Sequence, residues 1–465
     1  MADDHVPADA APAGDADLAG DRDAPPAQPM RQVIAASLSG AALEWYDFNL
    51  YGLSAALVFN KLFFPDVSPV LGTLASLATF GVGFVLRPVG ALLFGHLGDR
   101  VGRKKSLVAT MLIIGTCTFL IGLLPDYHAI GIWAPVLLVT LRMAQGLGLG
   151  GEWAGASLLA VEHAPRHRRG FWGSIPQAGG PVGYLMAIGL VSLFALLPED
   201  EFLSWGWRVP FLLSIVLMVA GLLVRRTIQE TPDFERVKSA GVREKAPLAA
   251  TLRKYPRTTA LAFGARLGEA CSSQVYQPFI IAYATTTRGY PQYVALVGVV
   301  LYNVLGLLLM PVAGAVSDRI GRKPLYLTGA AFVAASGFPY LALVDEGSTA
   351  AAWSAMALAG LGGAVCMSSI QGAYFAELFG ARVRYSALGI ATQGSAMVAG
   401  FVPAIATALV AGAGASWPVG VLLAVVGAIS FVSAWLLSET RGGAEGEPAG
   451  DPGLLMKGRK GRATS

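Results

Sequence analysis

Glu44, Asp47 and Tyr51 fall at spacings of three and four within Glu44-Trp-Tyr-Asp47-Phe-Asn-Leu-Tyr51, which sets two carboxyls and a phenol along one face of a helix. Arg87 stands just before Pro88 in a second apolar stretch, and Arg142, Gln145 and Glu152 share a third, glycine-rich one. Arg266 and Glu269, three apart, sit in a fourth. Carboxyls in such places can take up and release protons. An arginine offers a carboxylate a two-pronged fit that lysine cannot copy. A charge inside a membrane-length apolar run is costly and usually faces a cavity or a partner, so structural pairing is the competing role for each of these residues.

The elements that must position them are membrane helices. Hydrophobic residues make up 54% of the 465-residue chain, charged residues 14%, and mean hydropathy is +0.56. Soluble domains carry about 25% charged residues. The deficit lies in long apolar runs, each able to cross a hydrocarbon core of about 30 Å. Twelve such spans are predicted, at about 33–59, 70–94, 106–124, 133–160, 171–196, 208–227, 258–284, 293–316, 324–344, 350–377, 385–410 and 416–437. Residues 1–29, Ala-, Asp- and Pro-rich, lack the apolar side chains to order themselves and read as a solvated cytoplasmic tail. They have neither a basic start nor an apolar core, so they are not a signal peptide. Residues 229–257, polar and basic with Pro232, Pro247 and Pro256, read as a linker. It joins a six-helix half at 30–228 to a second at 258–438, with a tail at 439–465.

Of the 34 Lys and Arg, 28 fall on one side of this topology, in the tails and alternate loops. The positive-inside rule then puts both termini in the cytoplasm, as expected of a multi-pass protein of the cytoplasmic membrane. Basic residues spread over separate loops argue against nucleic acid binding. Cys117, Cys271 and Cys366 lie inside apolar spans, with no disulfide framework or zinc spacing. No cofactor is expected, and no nucleophile triad marks an enzyme. The run Gly146-x-Gly148-x-Gly150-Gly151 looks superficially like a phosphate loop, but that motif needs a strand before and a helix after. Within an apolar helix, small residues instead let neighbouring helices approach. Trp205-Gly-Trp207-Arg208 reads as an interfacial anchor.

Gly95-His-Leu-Gly-Asp-Arg-Val-Gly-Arg-Lys104 recurs as Gly314-Ala-Val-Ser-Asp-Arg-Ile-Gly-Arg-Lys323, with each functional position displaced by 219 residues. Asp99, Arg100, Gly102 and Arg103 thereby map onto Asp318, Arg319, Gly321 and Arg322. Glu162 and Arg169, seven apart, are echoed by Glu377 and Arg384, and Glu230-Thr231 by Glu439-Thr440. Such echoes mark an internal repeat. Ion pairs that steady helix ends are one reading of these charges, and a gating latch formed in one transport state is the other. The pattern Gly-x-x-x-Asp-Arg-x-Gly-Arg-Lys, after a second and an eighth span, resembles the loop motif of the major facilitator superfamily. That resemblance implies an all-α membrane protein of twelve helices in two halves, working by alternating access.

Glu44-Trp-Tyr-Asp-Phe, Arg87-Pro-Val-Gly, Arg142-x-x-Gln-Gly-x-x-x-Gly-Gly-Glu152 and Gly206-Trp-Arg-x-Pro-Phe211 look like the metabolite:proton symporter branch, and within it the run Trp45 to Lys104 and Phe202-Leu-Ser-Trp-Gly-Trp-Arg208 look most like the shikimate type. The branch implies uptake of a small organic acid with protons, by a chain expected to be a monomer. A proline/betaine-type osmolyte carrier is the alternative, weakened by the absence of a C-terminal heptad pattern. A substrate-sensing receptor, from a different class, would need an appended domain. By this resemblance Arg87 is a substrate candidate, with Tyr51, Gln145, Arg266 and Glu269 as further candidates. Asp47 facing Arg142 resembles the coupling pair of proton-linked sugar porters, with Glu44 as alternative proton carrier and Glu152 as a fourth coupling candidate.

Overall fold

The computed structural model describes residues 30–101, 103–150, 157–158, 160–161, 163–226, 253–379 and 384–441. The expected tails, Gly102, Glu152, Glu162 and most of the linker lie outside them. Also outside are the side chains of Gly95, Asp99, Arg100, Arg103 and Arg384. Within the described residues every regular element is helical.

The first half contributes α1 (Met30–Leu57), α2 (69–101, broken at Leu86), α3 (Arg103–Leu123), α4 (Trp133–Gly150), α5 (Arg169–Phe194) and α6 (Arg208–Arg226). The second contributes α7 (256–287), α8 (Gln292–Ile320), α9 (Arg322–Asp345), α10 (Thr349–Leu378), α11 (384–413) and α12 (Trp417–Leu436). Among the described residues, eight helices are long and apolar enough to cross a membrane. The polar α7 is not one of them.

Departures from regularity in α2 and α7 lie close to the charged residues. α2 breaks at Leu86, between Val85 and Arg87, because Pro88 lacks the N–H that a continuous helix needs. α7 carries two π-helical turns, Val275–Phe279 and Tyr283–Thr287, a feature frequent at functional sites. At Gly321 the reversal between α8 and α9 takes a single residue with φ of +107°, a conformation that favours glycine.

Within the halves, α1 packs on α5 and α6, α2 on α4, α7 on α11 and α12, and α9 on α12. The glycine run of α4 is a packing surface. A Cβ on Gly146 would stand 1.9 Å from the Gly83 carbonyl oxygen of α2, and one on Gly150 would stand 2.0 Å from that of Arg87. Glycine at these points lets the two backbones touch. Across the halves α5 lies on α8, α2 on α11 and α1 on α7.

Trp207 corrects the sequence reading. It is 2% exposed and packs against Phe59, Phe63 and Phe211, so it is a core residue, whereas Trp205 remains exposed. Arg208 instead closes the end of α3, donating to the carbonyls of Gly122 (3.0 Å) and Leu124 and to that of Ser204 (3.3 Å). These orphan C-terminal carbonyls gain a cation as partner.

Candidate transport site between the halves

Arg142 is 1% exposed. The α2–α4 backbone contact drives its guanidinium under an aromatic layer, with Cζ 4.3 Å from the Tyr51 ring centroid and 4.9 Å from those of Phe48 and Phe80. Such stacking replaces part of the hydration that the cation loses. Its Nη1 donates to Gln145 Oε1 (3.1 Å), and Gln145 Nε2 donates in turn to Thr118 Oγ1 (2.7 Å) of α3. Thr118 is also the side-chain neighbour of Asp47, whose Oδ1 is buried without a hydrogen bond. The expected direct ion pair between Asp47 and Arg142 is therefore not formed in this structure. Gln145 and Thr118 stand between the acid and the base, because the aromatic stack and the amide already hold the guanidinium.

Tyr51 sits on the same face of α1, as the spacing predicts, and donates to Thr79 Oγ1 (2.8 Å) of α2. Glu44 takes a different environment. It lines a small cavity with Phe48, Arg87, Leu149, Arg266 and Gln393, where residues of both halves meet. Arg87, at the break in α2, is stacked 4.2 Å from the centroid of Phe84 and 4.6 Å from that of Phe48. Its Nε is buried without a hydrogen bond. Arg266 and Glu269 of α7 form the i,i+3 pair the sequence suggests, at 3.7 Å, and Gln371 Nε2 of α10 donates to Glu269 Oε2 (2.9 Å).

Next to this cluster lies a central cavity of about 60 Å³. Trp45, Gln177 and Tyr184 come to it from the first half, and Arg266, Glu269 and Asn303 from the second. Asn303 Nδ2 donates to Gln277 Oε1 (3.1 Å), which presents an amide pair on this wall. The sequence reading missed the uncharged partners Thr118, Gln371, Asn303 and Gln393. The available signal was weaker than a charge, since a lone Thr, Asn or Gln in an apolar span is cheap enough to occur without function.

The loop motif of the second half makes a clasp between halves. Asp318 Oδ1 and Oδ2 accept from the backbone N–H groups of Gly170 (2.8 Å) and Phe171 (2.9 Å), the first turn of α5. A carboxylate here caps orphan donors and faces the positive end of the helix dipole. Arg322, 2% exposed, pairs with Asp318 (2.7 Å) and with Glu377 (3.6 Å). Thr440 donates to Glu377 (2.6 Å), and Glu439 accepts from the N–H groups of Arg322 and Lys323. The motif, the acid in the last turn of α10 and the Glu-Thr after α12 thus converge on one cluster. Gly170 and Gly314 let the helices close, since a Cβ on either would stand 2.5 Å from the other's carbonyl oxygen. Arg319 is exposed, with its carbonyl taken by Arg441, and Arg169 is partly buried at the start of α5.

Helices in two mutually packed halves, with charges gathered where they meet, form the architecture of a carrier, and the family model of the Major Facilitator Superfamily matches residues 34–373 and 262–461. The chain belongs to the major facilitator superfamily. Its relatives within it include the shikimate transporter of Escherichia coli (strain K12), 41% identical over 417 residues, covering 88% of this chain and 95% of that one. The proline/betaine transporter of the same organism is 33% identical over 424 residues, covering 88% and 84%. Among solved structures, a proton:xylose symporter bound to 6-bromo-6-deoxy-D-glucose superposes with a TM-score of 0.69 at 19% identity, over 90% of this chain and 98% of that one, which supports the fold. As a superfamily member the chain is a membrane transporter and not an enzyme.

Proposed function

We propose that the chain imports a small organic acid together with protons, by alternating access, with its motif loops and both termini in the cytoplasm. The observation that carries this reading is Arg87. Its buried guanidinium lies against two phenyl rings, and its Nε lacks an acceptor beside a cavity that Arg266 reaches from the other half. A substrate carboxylate supplies the missing acceptor and bridges the halves.

Charge balance explains why a proton travels with it. Among the described residues the centre holds three arginines, Arg87, Arg142 and Arg266, and three acids, Glu44, Asp47 and Glu269. Protonating one acid leaves one positive charge uncompensated in a poorly solvated site, and an entering monocarboxylate neutralises it. Each ligand therefore favours binding of the other. Asp47 is assigned as the proton carrier, with Glu44 the alternative. Asp47 lies beside Thr118, which accepts from the Gln145 amide that holds Arg142, so its protonation is felt at the cation through space.

A zwitterionic osmolyte is the second reading. Trp45, Tyr184 and Tyr302 line the central cavity with Glu269, and aromatic faces with an acid suit a quaternary ammonium. Purified protein in proteoliposomes decides between them. Labelled shikimate should accumulate when the outside is made more acidic, and betaine should not. Betaine accumulation without shikimate uptake would overturn the organic acid reading.

A further inference from the structure

On the face away from the motif loops the halves leave a second, larger cavity of about 470 Å³. Its lining includes Val70 and Thr73 of α2, Phe279 and Tyr283 of α7, Arg288 after α7, and Trp417 at the start of α12. Small-molecule sites commonly measure about 300–1,000 Å³. The central cavity, at about 60 Å³, admits only a few waters, so of these two cavities the outer one has metabolite-sized space.

The cluster on its wall orients a cation. Asp345, at the end of α9, accepts from the Tyr283 hydroxyl (2.5 Å) on one carboxylate oxygen and from the Ser416 hydroxyl on the other. Arg288 Nε lies 3.4 Å from the first of these oxygens, and Arg288 Nη2 donates to the Asp345 main-chain carbonyl. Asp345 thus divides its charge among two hydroxyls and one N–H, and it grips the guanidinium by its Nε–Nη2 edge. Nη1 makes no hydrogen bond to the described residues, and the side chain is 37% exposed at the cavity. Phe279 and Tyr283 stack with ring centroids 5.5 Å apart, and Trp417 presents an exposed indole. A guanidinium edge held in a fixed direction beside aromatic faces matches a carboxylate carried on a small apolar frame.

We propose that this cavity is a receiving site, where Arg288 holds an incoming organic acid by its carboxylate before the halves open a route to the centre. The inference rests on the reading of the chain as an organic acid carrier whose motif face is cytoplasmic. Substrate release from the receiving site into the centre needs no chemistry, only exchange of one arginine for another.

The test uses full-length protein in oriented proteoliposomes, with shikimate as the probe. Arg288→Gln should raise the KM for external shikimate roughly fivefold, leave kcat unchanged, and leave the KM for shikimate offered from inside unchanged. Arg288→Lys should restore part of the loss. Occupancy is read directly from Trp417 fluorescence, taken as the difference from Trp417→Phe. Shikimate should change this signal in wild type and in Arg87→Gln, but not in Arg288→Gln. An Arg288→Gln protein with unchanged external KM and an unchanged Trp417 response overturns the proposal. So does an equal rise in KM from both sides, the mark of a general structural defect. Wild-type protein that carries no organic acid, yet shows the Arg288-dependent Trp417 response, contradicts the carrier reading and supports the cavity as an anion site.

Discussion

At the residue scale, the chain keeps its charges in the membrane by giving each a specific local solvent. Arg142 has rings and an amide, Glu269 has Gln371 and Arg266, and Arg87 has two rings and a vacant donor. Arg142 Nη2 is likewise buried without an acceptor, so what sets Arg87 apart is its place on the cavity that both halves line, and the proposed binding role makes a definite prediction. Arg87→Lys retains the charge but loses the flat surface that lies against Phe48 and Phe84 and the paired donors that fit a carboxylate. The KM for shikimate should rise about tenfold or more, equivalent to about 1.4 kcal/mol, with membrane insertion intact. A Lys variant with unaltered KM removes Arg87 from the substrate site. The charged residues were legible because charge in an apolar span is rare enough to stand out. Their partners were not. Thr118 looks like any threonine bonding its own helix, and only the fold sets it between Asp47 and Gln145. The expected Asp47–Arg142 contact is replaced by rings of Phe48 and Tyr51 of α1 and Phe80 of α2 on the guanidinium, a gathering that only the fold reveals.

At the element scale, two glycine contacts and one carboxylate do most of the positioning. Gly146 fixes α4 against α2 and so sets Arg142 beneath the Phe80 ring. Gly146→Ala forces a Cβ into a carbonyl and should cost about 1–3 kcal/mol. Its thermal midpoint in detergent should fall, while Gly189→Ala, where nothing lies within 4 Å, should match wild type. Equal midpoints for the two variants contradict the packing role. The periodic glycines of α4 were readable as packing, but which helix they met was not. Asp318 acts between halves. It bonds the first turn of α5 only while α5 and α8 are closed at the motif face, so it biases the equilibrium toward that form. Asp318→Asn keeps hydrogen-bonding groups but loses the attraction to the helix dipole and to Arg322. It should slow shikimate uptake severalfold at equal expression, a bias of about 1 kcal/mol. Uptake at the wild-type rate reduces the motif to a topological signal. By the repeat, Asp99 is proposed to act in the same way for the other half. The convergence of Asp318, Arg322, Glu377 and Glu439 was half legible, since the echoes were visible in sequence while their meeting at one point required the bundle.

At the scale of the whole molecule, the structure has the halves in contact on both sides of the centre. Asp318 clasps α5 at the motif face, and on the other side the first stretch of α2 packs on the last stretch of α11, Val402–Ala413. Between them is a cavity too small for a metabolite, so binding and release require each contact to open in turn. Twelve spans and two halves were evident from hydropathy and the 219-residue repeat, because membrane insertion demands long apolar runs and the repeat copies them. The irregularities of α2 and α7 were less evident. Pro88 announced the first, but nothing in Val275–Phe279 or Tyr283–Thr287 announces a π turn. The arginines and acids that the described residues bring to the junction of the halves motivate the central proposal, that a proton and an organic anion enter only together. The direct measurement is accumulation of labelled shikimate by Asp47→Asn in proteoliposomes with an acidic exterior, compared with its exchange of shikimate at equal pH on both sides. Fixing Asp47 in a neutral form supplies permanently what the proton would bring, so net accumulation should disappear while exchange persists. Asp47→Asn protein that still concentrates shikimate in response to the pH gradient would contradict the account.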